Sequence, residues 1–202
     1  MINRLVGVVA SQARWCGVLL FAALLCTIPS AGAAQDGPSL VVLVRHAERA
    51  AEPADDPPLT EFGRARAAAL AAAVAHAPPS AIIVSSRKRT METAAPTATK
   101  FGVTPTVVAL EGGTAAHIAA VAEAVRKQRG VVLVVGHSNT IPAIVKALGG
   151  PVLPDICDAT FTLLYSLVPA RDGRAAQLVM SQYGAVDLAP VSATATACAG
   201  MK

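Results

Sequence analysis

The chain has 202 residues, of which 53% are hydrophobic and 15% charged, with 15 Gly and 14 Pro. That balance excludes a disordered polar chain, a coiled coil and a collagen-like repeat, and it suits one globular domain. The formal net charge is only +4, and half of it sits on Arg4 and Arg14 in a 34-residue leader without acids, so there is no electrostatic footprint for nucleic acid.

Residues 15–28 are apolar and uncharged, a run shorter than the roughly 20 residues that span a bilayer as a helix. Pro29-Ser30-Ala31-Gly32-Ala33-Ala34 follows, with the small residues a signal peptidase accepts. We therefore expect residues 1–34 to be a signal peptide cleaved after Ala33 or Ala34. The mature chain would be periplasmic or secreted, free of the membrane. A retained anchor is the alternative, because Leu5 to Ala10 adds apolar length, although the polar stretch Ser11 to Arg14 interrupts it. Cys26 follows Leu24-Leu25 where a lipidation site wants small residues, which argues against a lipoprotein.

The domain is expected over 35–188, with a flexible, alanine-rich tail at 189–202. Cys157 and Cys198 remain after cleavage, in a compartment that permits disulfides. They either bridge, closing a loop worth roughly 4 kcal/mol, or stay as two thiols; their separation decides. The single Trp, Trp15, belongs to the leader, and Phe62, Phe101, Phe161, Tyr165 and Tyr183 build no stacking platform for single strands.

In chain order, a strand is expected over 40–44, then a loop, then a helix capped by Thr60 with Glu61 in its first turn, running to about His76. Pro78-Pro79 stops it, and 81–84 reads as a buried strand. A helix over 88–100 should be kinked or restarted by Pro96. A third strand at 106–110 and a helix at 114–129 follow, the latter ended by Gly130. Val131-Val132-Leu133-Val134-Val135 is the clearest buried strand, and a helix at 141–148 comes after it. Strands at 160–167 and 175–181 close the chain around the Asp172-Gly173 turn. This alternation predicts an α/β fold: one domain, a mainly parallel central sheet, and helices on both faces.

Three polar clusters follow three of the buried strands: Arg45-His46-Ala47-Glu48-Arg49, Ser85-Ser86-Arg87-Lys88-Arg89-Thr90, and Gly136-His137-Ser138. Ligands of such sheets bind beyond the carboxyl ends of the strands, so the clusters share one rim. Histidines among arginines suit a phosphoryl group, because guanidinium forks bind its oxygens bidentately and keep their charge.

Arg45-His46-Ala47-Glu48 after an apolar strand, Ser85 followed by Arg89-Thr90-x-x-Thr93-Ala94, and Gly136-His137-Ser138 resemble the histidine phosphatase superfamily, also called phosphoglycerate mutase-like. The resemblance runs from Leu40 to Tyr183. Leu59-Thr60-x-x-Gly63 and Lys88-Arg89-Thr90-x-x-Thr93-Ala94-Ala95-Pro96 are similar to its small secreted or periplasmic bacterial branch. The resemblance implies that His46 attacks phosphorus in line and forms a phosphohistidine that water then hydrolyses. It implies that Arg45, Arg89 and His137 form the phosphate pocket, that no cofactor or metal is needed, and that vanadate or tungstate inhibits. The substrate would be a small phosphorylated molecule or a phosphohistidine protein. A neutral imidazole suits this chemistry, since surrounding cations depress its protonation and stabilise charge on the equatorial oxygens.

Arg49 is the best further substrate contact and Ser138 another, while Arg87 and Lys88 read as rim charges. Ser85 and Ser86 can donate to phosphate or cap the next helix, and the cap is expected. His76 and His117 read as surface histidines. The proton donor is open between Glu111 and Glu48; where the acid-phosphatase branch has Asp after its second histidine, Ser138 stands here. Mutase activity is disfavoured by Ala47, where Gly is usual.

Three rivals remain. Gly136-His137-Ser138-Asn139-Thr140 as a serine-hydrolase elbow lacks its second glycine and a later His. A metallohydrolase lacks His-x-x-x-His spacing. A non-catalytic anion-binding module of the same fold would not need both His46 and His137.

Overall fold

The computed structural model describes residues 37–187. The expected signal peptide, the tail and Cys198 lie outside them. Cys157 is disulfide-bonded.

The elements are β1 (Pro38–Arg45), α1 (Glu61–Ala73), β2 (Ala81–Ser85), α2 (Lys88–Phe101), β3 (Thr106–Val108), α3 (Gly113–Arg126), β4 (Gly130–Gly136), α4 (Thr140–Ala147), β5 (Leu163–Val168) and β6 (Gln177–Gln182). One six-stranded sheet runs β3-β2-β4-β1-β5-β6. The pairs β2–β3, β2–β4 and β1–β4 are parallel, and β1–β5 and β5–β6 antiparallel. This is the single-domain α/β fold expected, with the phosphoglycerate mutase-like arrangement of a mostly parallel sheet.

The central strands are apolar without a break because each face of the sheet carries its own helical layer. Val41, Leu43, Ile83, Val132 and Val134 pack against Val121 and Val125 of α3 and Ile141, Ile144 and Val145 of α4. The alternate residues Val42, Val44, Ile82, Val84, Leu133 and Val135 pack against Leu70 of α1 and Ala94 of α2. A polar residue at either parity would therefore be buried.

Local signals held in several places. Thr60 Oγ1 caps α1 by accepting from the Gly63 amide at 3.0 Å. Gly63 is required for another reason: a Cβ there would meet the Glu48 carbonyl oxygen at 2.2 Å. This is how Leu59-Thr60-x-x-Gly63 seats α1 on the loop after β1. Asp172 and Gly173 turn the final hairpin with φ of 50° and 77°, and Arg171 and Arg174 exchange backbone hydrogen bonds across them.

Other boundaries moved. α2 passes through Pro96 as one helix, because the buried stripe Thr90, Thr93, Ala94 and Thr97 holds both halves to the sheet. α1 stops at Ala73 and α3 at Arg126, each about one turn early. The closing strand starts at Leu163 rather than 160. The amides of Phe161 and Thr162 bond the Asp187 carboxylate instead, at 2.9 and 3.3 Å, and the Thr160 carbonyl accepts from Arg45 at 3.2 Å.

Candidate active site

Register brings the polar clusters together. Arg45, the last residue of β1, pairs with Gly136, the last of β4, and the His46 amide donates to the Gly136 carbonyl at 2.9 Å. Ser85 ends β2, the neighbour of β4 on the other side. His46 and His137 thus leave adjacent parallel strands at the same edge, and their ring centroids are 5.5 Å apart.

The His46 Nδ1 lies 2.8 Å from the Ala47 carbonyl. A carbonyl only accepts, so Nδ1 carries the hydrogen and Nε2 keeps its lone pair. The loop is pinned by the Ala47 amide, which donates to Thr93 Oγ1 at 2.9 Å, and Thr93 in turn donates to the Arg89 carbonyl at 2.6 Å. That explains Thr93 in the second cluster. Burial pushes the His46 pKa down to about 3, with the Arg45, His137 and Arg89 charges adding to it against the Ala47 hydrogen bond. His46 is therefore a neutral imidazole over the physiological range.

His137 is held from behind. Its Nε2 is 3.0 Å from Ser85 Oγ, which is 2.9 Å from Thr90 Oγ1. The Thr90 hydroxyl also faces the carbonyls of Ser85 and Arg87 at 3.0 and 2.8 Å. Its hydrogen goes to a carbonyl, so Ser85 donates to Thr90 and accepts from His137 Nε2–H. The lone pair of His137 Nδ1 then faces Arg89 Nη2, at 3.5 Å. Burial, then Arg89 and His117, push the His137 pKa down to about 4.

The two arginines are anchored unequally. Arg45 Nη1 donates to the carbonyls of Cys157, Asp158 and Thr160 at 2.8, 2.9 and 3.2 Å, its Nη2 reaches Asp158 Oδ1 at 3.3 Å, and its guanidinium carbon lies 4.3 Å from the Phe161 ring centroid. Among the described residues Arg89 has only Asp56, at 3.9 Å, as an ion-pair partner. The Nε atoms of both are buried without a hydrogen-bond partner. An unpaired buried donor on a cation costs about 1–3 kcal/mol or more. Two of them beside a pair of histidines form a site built for an anion.

The other expected site residues fall in different places. Arg49 is exposed and shares a rim cavity of about 500 Å³ with Arg45, Asp158 and Phe161. Ser138 is half-buried next to His137. Glu48 is gripped by Arg66, whose Nη2 lies 2.7 Å from Oε1 and whose Nε lies 3.0 Å from both carboxylate oxygens. Glu111 stands exposed in the turn before α3 and makes no hydrogen bond or ion pair with the two histidines or two arginines.

Two expectations are corrected. Ser85 does not cap α2; it holds His137, and the Lys88 amide is met by the Asp56 carboxylate at 3.1 Å. His117 is not at the surface: it is 2% exposed, with Nδ1–H on the Ala109 carbonyl at 2.9 Å. Its burial follows from α3 packing that face on the sheet. His76 is exposed, as expected. Phe161, Asp56 and Asp158 reach the site from loops with no motif, so nothing local in the sequence marks them for it. Among the described residues no three His, Cys, Asp or Glu side chains gather as a metal-ligand set.

The family model of the histidine phosphatase superfamily (branch 1) matches residues 41–110, which carry two of the three clusters. A candidate phosphohistidine phosphatase SixA from Nakamurella multipartitia is 28% identical, covers 72% of this chain and 96% of its own, and superposes with a TM-score of 0.50. The protein histidine phosphatase SixA in complex with tungstate has 18% identity, coverage of 71% and 96%, and a TM-score of 0.56. The mycobacterial glucosyl-3-phosphoglycerate phosphatase with inorganic phosphate has 18% identity, coverage of 73% and 97%, and a TM-score of 0.53. Among curated proteins the sequence has no match.

Proposed function

This chain is a histidine-type phosphatase with the fold of the histidine phosphatase superfamily, and on that premise we propose that it is an exported enzyme hydrolysing a phosphomonoester or phosphohistidine through a covalent intermediate on His46. The observation that carries the reading is the meeting of His46, His137, Arg45 and Arg89 at one strand edge, with both arginine Nε donors buried and unpaired.

In the first step His46 Nε2 attacks phosphorus in line. The Nε2–P bond forms, the bond to the leaving group breaks, and the electron pair departs with that group. In the second step water attacks phosphorus, the Nε2–P bond breaks, orthophosphate leaves and the water proton passes to solvent. Arg45 and Arg89 bind the phosphoryl oxygens. When the dianion binds, Arg89 Nη2 turns from His137 Nδ1 to the phosphoryl oxygens, and Nδ1 takes a proton from solvent and becomes a third donor. Ser138 adds a hydroxyl at the same rim, and Arg49 meets the remainder of the substrate.

Glu48 has both carboxylate oxygens held by Arg66, and Glu111 makes no hydrogen bond or ion pair with the two histidines or two arginines, so neither is a free acid for the leaving group. The reading therefore favours substrates whose leaving group departs with little acid assistance. The 28% identity to the Nakamurella SixA supports a phosphohistidine among them.

Purified protein should hydrolyse p-nitrophenyl phosphate and trap acid-labile radiolabel from a labelled phosphodonor on His46, and His46→Ala should lose both. Turnover that survives this substitution would overturn the reading. Export rests on the apolar run at 15–28 and the small residues after it; fractionation and N-terminal sequencing should find a chain beginning at Ala34 or Gln35.

A further inference from the structure

Beside the site lies a second depression, a groove of about 450 Å³ that none of the two histidines and two arginines lines. Its apolar walls are Phe62 and Ala65 of α1, Ala159 and Phe161 of the loop before β5, and Ala185 and Val186. Phe161 belongs to both places: besides lining the groove, its ring lies against the Arg45 guanidinium, with its centroid 6.3 Å from that of His46. Glu48 also borders both the groove and the rim cavity that contains Arg45. The groove thus adjoins the phosphoryl site, with Phe161 and Glu48 on the shared border. Phe62 and Val186 stand 74% and 84% exposed on it, and large apolar side chains gathered in water around a concavity mark a binding surface.

The charge in the groove narrows what it accepts. Its guanidinium, Arg66, is spent: Nε and Nη2 go to Glu48, Nη2 also to Asp187 at 3.3 Å, and Nη1 to the carbonyls of Tyr183 and Ala185 at 3.2 and 2.8 Å. Two carboxylates therefore face one cation that has no donor to spare. A second phosphate or a carboxylate would be repelled, and an uncharged apolar group would lose only its contact with water.

We infer that this groove seats the leaving group, and that the substrate is an aryl phosphomonoester. The inference rests on the phosphatase reading above and deepens it. An aromatic alcohol fits the apolar walls and the ring of Phe161. It also fits the chemistry: as Nε2–P forms and the aryl O–P bond breaks, the phenolate holds the electron pair stably and takes its proton from water, so no side-chain acid is needed.

The test uses the full chain with 1-naphthyl phosphate, which reaches the groove, and acetyl phosphate, which fills only the phosphoryl site. Phe62→Ser and Val186→Ser change exposed side chains and should fold. Each is expected to raise KM for 1-naphthyl phosphate about 5-fold, the loss of one partly buried apolar contact, while leaving acetyl phosphate turnover within about 2-fold. With wild-type protein, 4-carboxyphenyl phosphate should be about 5-fold poorer than 4-methylphenyl phosphate in kcat/KM. An unchanged KM for 1-naphthyl phosphate in both variants would overturn the inference and leave the phosphatase reading standing. So would a gain toward both substrates alike, which would mean that a segment of this chain fills the groove. Acetyl phosphate hydrolysis that persists in His46→Ala would overturn both.

Discussion

The parallel half of the sheet and its antiparallel half are built to different rules. In β2, β4 and β1, residues 82–84, 132–135 and 41–44 are at most 4% exposed, because alternate side chains serve opposite helical layers. In the β5–β6 hairpin, Val168, Val179 and Met180 are 43%, 63% and 59% exposed, and β6 is an edge of the sheet. Arg45, His46 and His137 come from the carboxyl ends of the parallel half or the turns after them, and Arg89 from the first turn of α2, which follows β2. The antiparallel half contributes through the loop before it, residues 157–161, which grips Arg45 by three carbonyls, a carboxylate and a ring. Strand register sets where the two histidines and Arg45 lie, and the loop sets how Arg45 is held.

Substitutions test that division, the largest effects being expected in the parallel half. His46→Ala should lower kcat/KM for p-nitrophenyl phosphate by at least about 10⁴-fold, as removing a nucleophile does. Arg89→Ala, which removes a guanidinium that no loop carbonyl grips and that meets Asp56 at 3.9 Å, should cost about 10²- to 10³-fold in kcat. Val134→Ala, at 1% exposure in the central strand, should cost about 2–3 kcal/mol in urea denaturation. Ser85→Ala should lower kcat/KM about 10-fold by freeing the His137 ring, and Ser85→Thr should restore most of it. On β6, Val179→Thr should stay within about 0.5 kcal/mol of wild type. A cost there near that of Val134→Ala would abolish the contrast between the halves.

The histidines add a pH signature. Their folded pKa values, about 3 and about 4, lie below the ordinary 6.5, so the fold favours the neutral rings. Their contribution to stability is complete above pH 6.5. It falls as the unfolded chain takes up protons, with a slope of about 1.4 kcal/mol per pH unit for each ring until the folded value is reached. Urea titrations between pH 7 and pH 4 should show this loss, and His137→Gln should remove about half of its slope.

The order of strands and helices, the buried strands and the convergence of Arg45, His46, Arg89 and His137 on one strand edge were legible in the sequence. Unbroken β-branched runs, Thr60 as a cap, and Arg and His directly after strands are local signals whose meaning does not depend on distant partners. The fates of Ser85, His117 and Glu48 were not legible. Each could serve two neighbourhoods, and only packing chose: the β2–β4 register put Ser85 against His137, α3 turned His117 inward, and α1 brought Arg66 to Glu48. The grip of residues 157–160 on Arg45 spans more than 110 positions, as does the contact of Arg66 with residue 185 that helps shape the apolar groove. Chemistry carried by one short segment can be read along the chain, whereas the partner of a side chain is settled by which segments the completed sheet brings side by side.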